Sequence, residues 1–179
     1  ALAVHGGYGT KLEAVVRRVK MIRDKLPEDK IIIFSTWQDA LDIVAHALGH
    51  NGVPSLYPKN RKAFDESLSQ FRVCDASTEK TPRVLLLLLK QGGNGLNLQQ
   101  AQHVMFLEPV MDPGEELQAV GRVDRMGPTR DTIVHRYSFR NSGEENVLRI
   151  SAEKRRAHQG KGHKTNVAMT VAEVSQLLR

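Results

Sequence analysis

The sequence predicts an α/β fold, a parallel sheet with helices on both faces, on three observations. The apolar runs Ile31 to Phe34 and Val84 to Leu89 are too continuous for strands wetted on one side, and a third run extends from His103 to Leu107; strands covered on both faces read this way. Segments of helical period lie between these runs, and such alternation gives parallel strands joined by helices. Gly and Pro residues punctuate the ends of the periodic segments.

Residues 1–10 carry three glycines and no periodicity and read as a linker. Leu12, Val15, Val16, Val19, Ile22 and Leu26 recur at three- and four-residue spacing, which predicts a helix over 11–26 that Pro27 stops. After the first strand, Thr36 is placed to cap a helix, with Asp39 returning the bond in a capping box and Gly49 ending the helix after Leu48. Phe64, Leu68 and Phe71 share one face of a helix expected between Lys59 and Arg72. Following the third strand, Asp112 caps a helix with Pro113 at its first position, Glu115 set to complete the box, and Gly127 and Pro128 at its end. A last strand is expected between Thr132 and Phe139, and Val167, Val171, Val174, Leu177 and Leu178 form the apolar stripe of a short terminal helix. The organisation that follows is a linker over 1–10, one lobe over 11–150, and a basic connection with a C-terminal helix over 151–179.

A chain of 179 residues with 40% hydrophobic content has the material for one sizeable core. Five Lys or Arg and no acid fall within residues 154–164, so of the net charge of +6 only +1 is spread over the rest. A solvated basic tail and a DNA-contacting or nuclear-targeting segment are both open readings of that stripe. The single cysteine, Cys74, excludes an internal disulfide and a four-cysteine zinc site; it reads as a buried thiol in a reducing compartment such as cytosol or nucleus. No apolar stretch approaches the ~20 residues that cross a bilayer, and no membrane partner is expected. His158 and His163 lack a nearby Cys or acid pair and read as solvated, so no metal site is expected.

Two segments have the chemistry of a polyanion site. The loop Gly92-Gly93-Asn94-Gly95-Leu96-Asn97-Leu98 leaves the carboxyl end of a buried strand, where ligands of open α/β sheets bind. Its glycines allow backbone N–H groups to face a phosphate, although a tight turn needs glycine for steric reasons alone. On the helix after Pro113, Gln118, Arg122 and Arg125 stand at i, i+4 and i+7 and project from one stripe. Ala119, Val123 and Met126 form an adjacent packing stripe, and Gly121 is expected to let a neighbouring backbone approach. Guanidinium donors match phosphate oxygens with paired bonds, so the stripe suits a triphosphate or plain surface charge.

In order and separation, FSTWQDALDI, GGNGLNL and QAVGRVDRMG resemble the fourth, fifth and sixth motifs of the Swi/Snf branch of superfamily-two helicases. The resemblance runs from about Thr10 to Leu148. TKLEAVVR, LEPVMDPGEELQAVGR and DTIVHRY bring it nearest to members that join this motor to a RING-finger ubiquitin ligase. It implies a RecA-like lobe of the P-loop NTPase type, the second of two lobes with ATP and Mg²⁺ between them and double-stranded DNA across both. Neither GxxxxGK followed by Ser or Thr, nor a DExH-type strand, occurs in the chain, so the resemblance implies that the N-terminal RecA-like lobe holds most of the ATP and Mg²⁺ and that this chain alone is catalytically silent.

The same resemblance implies that Arg122 and Arg125 are catalytic arginine fingers, that Gln118 orients them, and that Gly95 and Asn97 border the nucleotide. It assigns DNA-backbone contacts to Ser35, Thr36, Trp37, Lys90, Gly92, Gly93 and Asn94; for Trp37, packing in the core is an equal alternative. Further implied partners, through a longer parent protein, are nucleosomes and ubiquitin-pathway enzymes, and the implied location is nuclear.

The chain also departs from the family pattern. Leu88 and Leu89 stand where many relatives carry a hydroxyl pair, Asp124 where histidine is common, and Pro128 where glutamine is common. These departures keep a second reading open, a scaffold lobe that binds DNA or protein without a role in ATP hydrolysis.

Overall fold

The computed structural model describes residues 3–74, 80–92, 98–123 and 132–158. The predicted terminal helix beyond residue 158 lies outside them. The elements are α1 (Thr10–Lys25), β1 (Ile31–Ser35), α2 (Gln38–His50), α3 (Arg61–Val73), β2 (Val84–Leu88), α4 (Leu89–Gly92), β3 (His103–Phe106), α5 (Pro113–Val123), β4 (Ile133–Arg136) and α6 (Gly143–His158). The four strands form one parallel sheet in the order β2-β1-β3-β4. As the unbroken apolar runs require, β1 is buried at every position.

Two cores cover the faces of the sheet. On one, Val15, Val16 and Val19 of α1 and Leu41, Val44 and Leu48 of α2 pack over Ile31, Ile33, Val84, Leu86 and Met105. On the other, Leu68 and Phe71 of α3 and Ala119, Val120 and Val123 of α5 meet Ile32, Phe34, Leu85, Leu87, Val104 and Phe106. Alternate residues of β1, β2 and β3 serve opposite cores, the period-two geometry of a sheet sandwiched between helices. Phe34 and Phe106 stack with ring centroids 5.6 Å apart across the β1/β3 pair.

Several local expectations need correction. Thr36 does not cap α2: the helix starts at Gln38, with Trp37 as N-cap and no side-chain cap bond. The reason is competition, because the Thr36 N–H donates to the Glu108 carboxylate and the strand conformation persists to Ser35. Gly49 does not end α2 either. The helix continues to His50, and Gly52, with φ of 69°, takes the left-handed turn that follows. Where a loop was expected directly after β2, one helical turn, α4, comes first. Cys74 is half-buried rather than buried, its thiol directed at the Phe71 carbonyl 3.1 Å away. Asp112 does cap α5, accepting from the Gly114 N–H at 2.8 Å.

Helix α6 was not foreseen, because its stretch is mostly polar with no clear apolar stripe. Tertiary bonds hold it instead. Lys11 of α1 pairs with Glu144 at 2.6 Å, and the Ser151 hydroxyl donates to the Val110 carbonyl at 3.1 Å.

Candidate nucleotide and nucleic-acid site

The sheet has a topological switch at β1/β3. These neighbouring strands send their chains to opposite faces, into α2 on one side and α5 on the other. In open α/β sheets the crevice at the carboxyl ends of such strands is where ligands bind. Glu108, just past β3, spans that crevice. The buried Ser35 hydroxyl lies 3.0 Å from each of its carboxylate oxygens and accepts from the Trp37 N–H at 3.0 Å.

This geometry sorts the first predicted segment. Ser35 is 2% exposed and committed to Glu108, whereas Thr36 is exposed and Trp37 is 67% exposed. Core packing of Trp37 is therefore overturned. Its indole stands out from the N-terminus of α2 because the strand ends two residues earlier with Ser35 turned inward.

Lys90 is exposed on α4, which packs beside α5. Leu89 is buried in the core shared with α3 and α5, and Leu88 packs against the opposite core. Both leucines are thus packing groups. Gly92 closes α4, while Gly93, Asn94, Gly95 and Asn97 lie outside the described residues.

On α5, Gln118 is exposed and Arg122 half-buried, one turn apart on the outward stripe, opposite the buried Ala119, Val120 and Val123. Arg125, Asp124, Met126 and Pro128 lie outside the described residues. Gly121 does not admit a close backbone: it is exposed, and a Cβ built there meets nothing within 4 Å. Leu98, the last residue of the glycine-rich loop, is buried, and its N–H donates to the Arg122 carbonyl at 3.1 Å. The loop's far end and the arginine helix are therefore physically joined.

Two acids that position this site were missed in the sequence. Glu116, 2% exposed, accepts from Arg136 Nε at 2.6 Å and also pairs with Arg136 Nη2, fixing α5 to the end of β4. Glu108 and Glu116 each follow or flank an apolar run, but nothing in their spacing tells an acid turned inward from a solvated one.

A parallel α/β lobe with a ligand crevice at its strand switch, and an arginine-bearing helix beside it, defines a RecA-like helicase lobe. The chain belongs to the helicase conserved C-terminal domain family, whose model matches residues 10–127. It is 39% identical over 178 residues to the E3 ubiquitin-protein ligase SHPRH of Homo sapiens, covering 98% of this chain and 10% of that protein. It is 35% identical over 153 residues to the DNA repair protein RAD5 of Saccharomyces cerevisiae, covering 82% of this chain and 13% of the relative. The chain thus spans about a tenth of the length of these curated relatives. The crystal structure of the C-terminal part of the Fun30 ATPase domain shares its fold with a TM-score of 0.66 at 23% identity, over 78% of this chain and 45% of that one. The family read from the three motifs and the RecA-like fold are both borne out.

Proposed function

We propose that this chain is the second motor lobe of an ATP-dependent double-stranded DNA translocase, working with an N-terminal RecA-like lobe that holds most of the ATP and Mg²⁺. The observation that carries the reading is the bond from the Leu98 N–H to the Arg122 carbonyl, which ties the loop assigned to DNA to the helix assigned to ATP. A shift of the loop on DNA then moves the arginine, and the reverse.

The donor set of α5 fits this role. An amide and a guanidinium on one stripe suit phosphate oxygens and bring no carboxylate to Mg²⁺, which is left to the other lobe. Bound ATP supplies the phosphoryl group whose negative charge spreads over its oxygens during transfer to water. Arg122 and Arg125 stabilise that charge from across the cleft, Gln118 orients them, and Gly95 and Asn97 border the nucleotide. Thr36, Trp37, Lys90, Gly92, Gly93 and Asn94 meet the DNA backbone. Ser35 acts one step removed, through Glu108 and the Trp37 N–H that set the adjacent residues.

Arginine fingers typically contribute about 10³ to 10⁵ in rate, on the order of 4 to 7 kcal/mol. The isolated lobe is silent in this reading. In the longer protein the same lobe serves nuclear DNA repair or chromatin work, with nucleosomes and ubiquitin-pathway enzymes as partners, a reading supported by the names of SHPRH and RAD5.

The test is DNA-stimulated ATP hydrolysis by the two-lobe protein, comparing Arg122→Ala and Arg125→Ala with wild type after each is shown to fold. The expected result is a loss of about a thousandfold or more with DNA binding retained. Unchanged rates in both variants make the lobe a DNA- or protein-binding scaffold instead.

A further inference from the structure

We propose that Tyr8, His46 and His50 form a binding site for a divalent first-row transition metal, with Zn²⁺ the representative ion, closing the segment before α1 onto α2. The site lies apart from the strand-switch crevice and does not depend on how that crevice is read.

His46 and His50 stand four residues apart on α2, so their exposed rings leave the same face of the helix. The Tyr8 hydroxyl lies 3.1 Å from His46 Nδ1 and 2.9 Å from His50 Nδ1. Its ring meets both imidazoles edge-on, at interplanar angles of 63° and 76°. Both imidazole nitrogens therefore meet on the one hydroxyl, whereas a stacked cluster would present ring faces. With neutral imidazoles, one histidine donates to the hydroxyl oxygen and the other accepts its proton, so three lone-pair atoms share two protons. A metal ion replaces those protons with a stronger bond to each atom.

The dimensions suit the exchange. Zn–N bonds of about 2.0–2.1 Å at a tetrahedral angle need donor atoms about 3.3 Å apart. The two hydroxyl–nitrogen separations, 3.1 and 2.9 Å, fall a few tenths of an ångström short, and a small rotation of the Tyr8 side chain supplies the difference. Two imidazoles, the phenol oxygen and a water complete four-coordination; the phenol proton leaves to solvent on binding, and the histidine that donated from Nδ1 carries its proton on Nε2 instead.

Tyr8 is also held in place before any ion arrives. Gly6, with φ of 100°, lies beneath its ring, where an added Cβ would come within 2.3 Å of a ring carbon. The His5 N–H donates to Asn51 Oδ1 at 2.8 Å, and Asn51 Nδ2 returns a bond to the His5 carbonyl at 3.0 Å. Asn51 is the C-cap residue of α2, so the segment is anchored at the end of the same helix. Such support of ligands by their surroundings is what separates a built site from two surface histidines.

The test is calorimetric titration of the full 179-residue chain with Zn²⁺ at pH 7.5, with Co²⁺ absorption to report the geometry. One ion per chain is expected, with tetrahedral Co²⁺ bands. His46→Ala and His50→Ala should each weaken binding at least tenfold and Tyr8→Phe severalfold, while a double His158→Ala/His163→Ala variant keeps wild-type affinity. Circular dichroism confirms that the variants fold. The proposal is overturned if Zn²⁺ fails to bind at millimolar concentration, if His50→Ala leaves the affinity unchanged, or if only the double variant lowers it.

Discussion

At the residue scale, the strongest demands in this fold come from acids turned inward. Glu116 gains little net energy from a pair with Arg136 when the desolvation of both charges is counted, but breaking such a pair strands the survivor. Arg136 already has one buried nitrogen, Nη1, without a hydrogen-bond partner among the described residues, so it has little slack for losing the carboxylate. Glu116→Ala should therefore lower stability by about 3 kcal/mol in urea unfolding. Replacing both residues with Met should recover most of that loss. If Glu116→Ala costs under ~0.5 kcal/mol, the pair is not holding α5 to the sheet. Glu108 plays the corresponding part for β1 and β3, where one carboxylate receives the Thr36 N–H and lies within reach of the Ser35 hydroxyl.

At the element scale, the strands and the amphipathic helices were legible because burial on two faces and burial on one stripe leave different periods in the sequence. Val15, Val16, Val19 and Ile22 of α1, and Leu68 and Phe71 of α3, face the cores as their spacing required. Helix starts were legible only where no tertiary partner competed. Asp112 caps α5 as expected, but Thr36 lost its capping role to Glu108, a residue 72 positions away. The stripe of Gln118 and Arg122 was legible for the same reason as the cores, since it is the complement of the buried face; the acids that aim it were not. The Asp112 cap gives an element-scale prediction. Asp112→Ala removes the acceptor of the Gly114 N–H at the start of the arginine-bearing helix and should cost about 1 kcal/mol, measured as a lowered urea midpoint with unchanged slope. An unchanged midpoint would mean that Glu116 and the packing of Ala119 and Val120 alone fix the helix start.

At the scale of the whole molecule, a buried polar chain beneath α1 links stability to pH. Asp29, His103 and His135 are all nearly inaccessible, with His103 Nε2 3.1 Å from the Asp29 carboxylate and His103 Nδ1 3.1 Å from His135 Nε2. Neutral imidazoles satisfy both contacts: Nε2–H of His103 donates to Asp29, and Nε2–H of His135 donates to His103. Burial pushes the His135 pKa down to about 3, reinforced by His103, Arg18 and Arg136 nearby. Burial also lowers that of His103, against the opposing pull of Asp29. In the unfolded chain a histidine takes up its proton near pH 6.5. Between about 6.5 and about 3 the unfolded state therefore binds a proton at His135 that the native state refuses, and stability falls as pH falls. One such proton changes stability by at most about 1.4 kcal/mol per pH unit. Urea unfolding at pH 7 and pH 5 should show wild type losing more stability than His135→Gln, which keeps a donor toward His103 and does not titrate. Equal losses in the two proteins would mean that the acid sensitivity lies in groups the substitution leaves in place, His103 and the carboxylates, because His135 is the titrating group it removes.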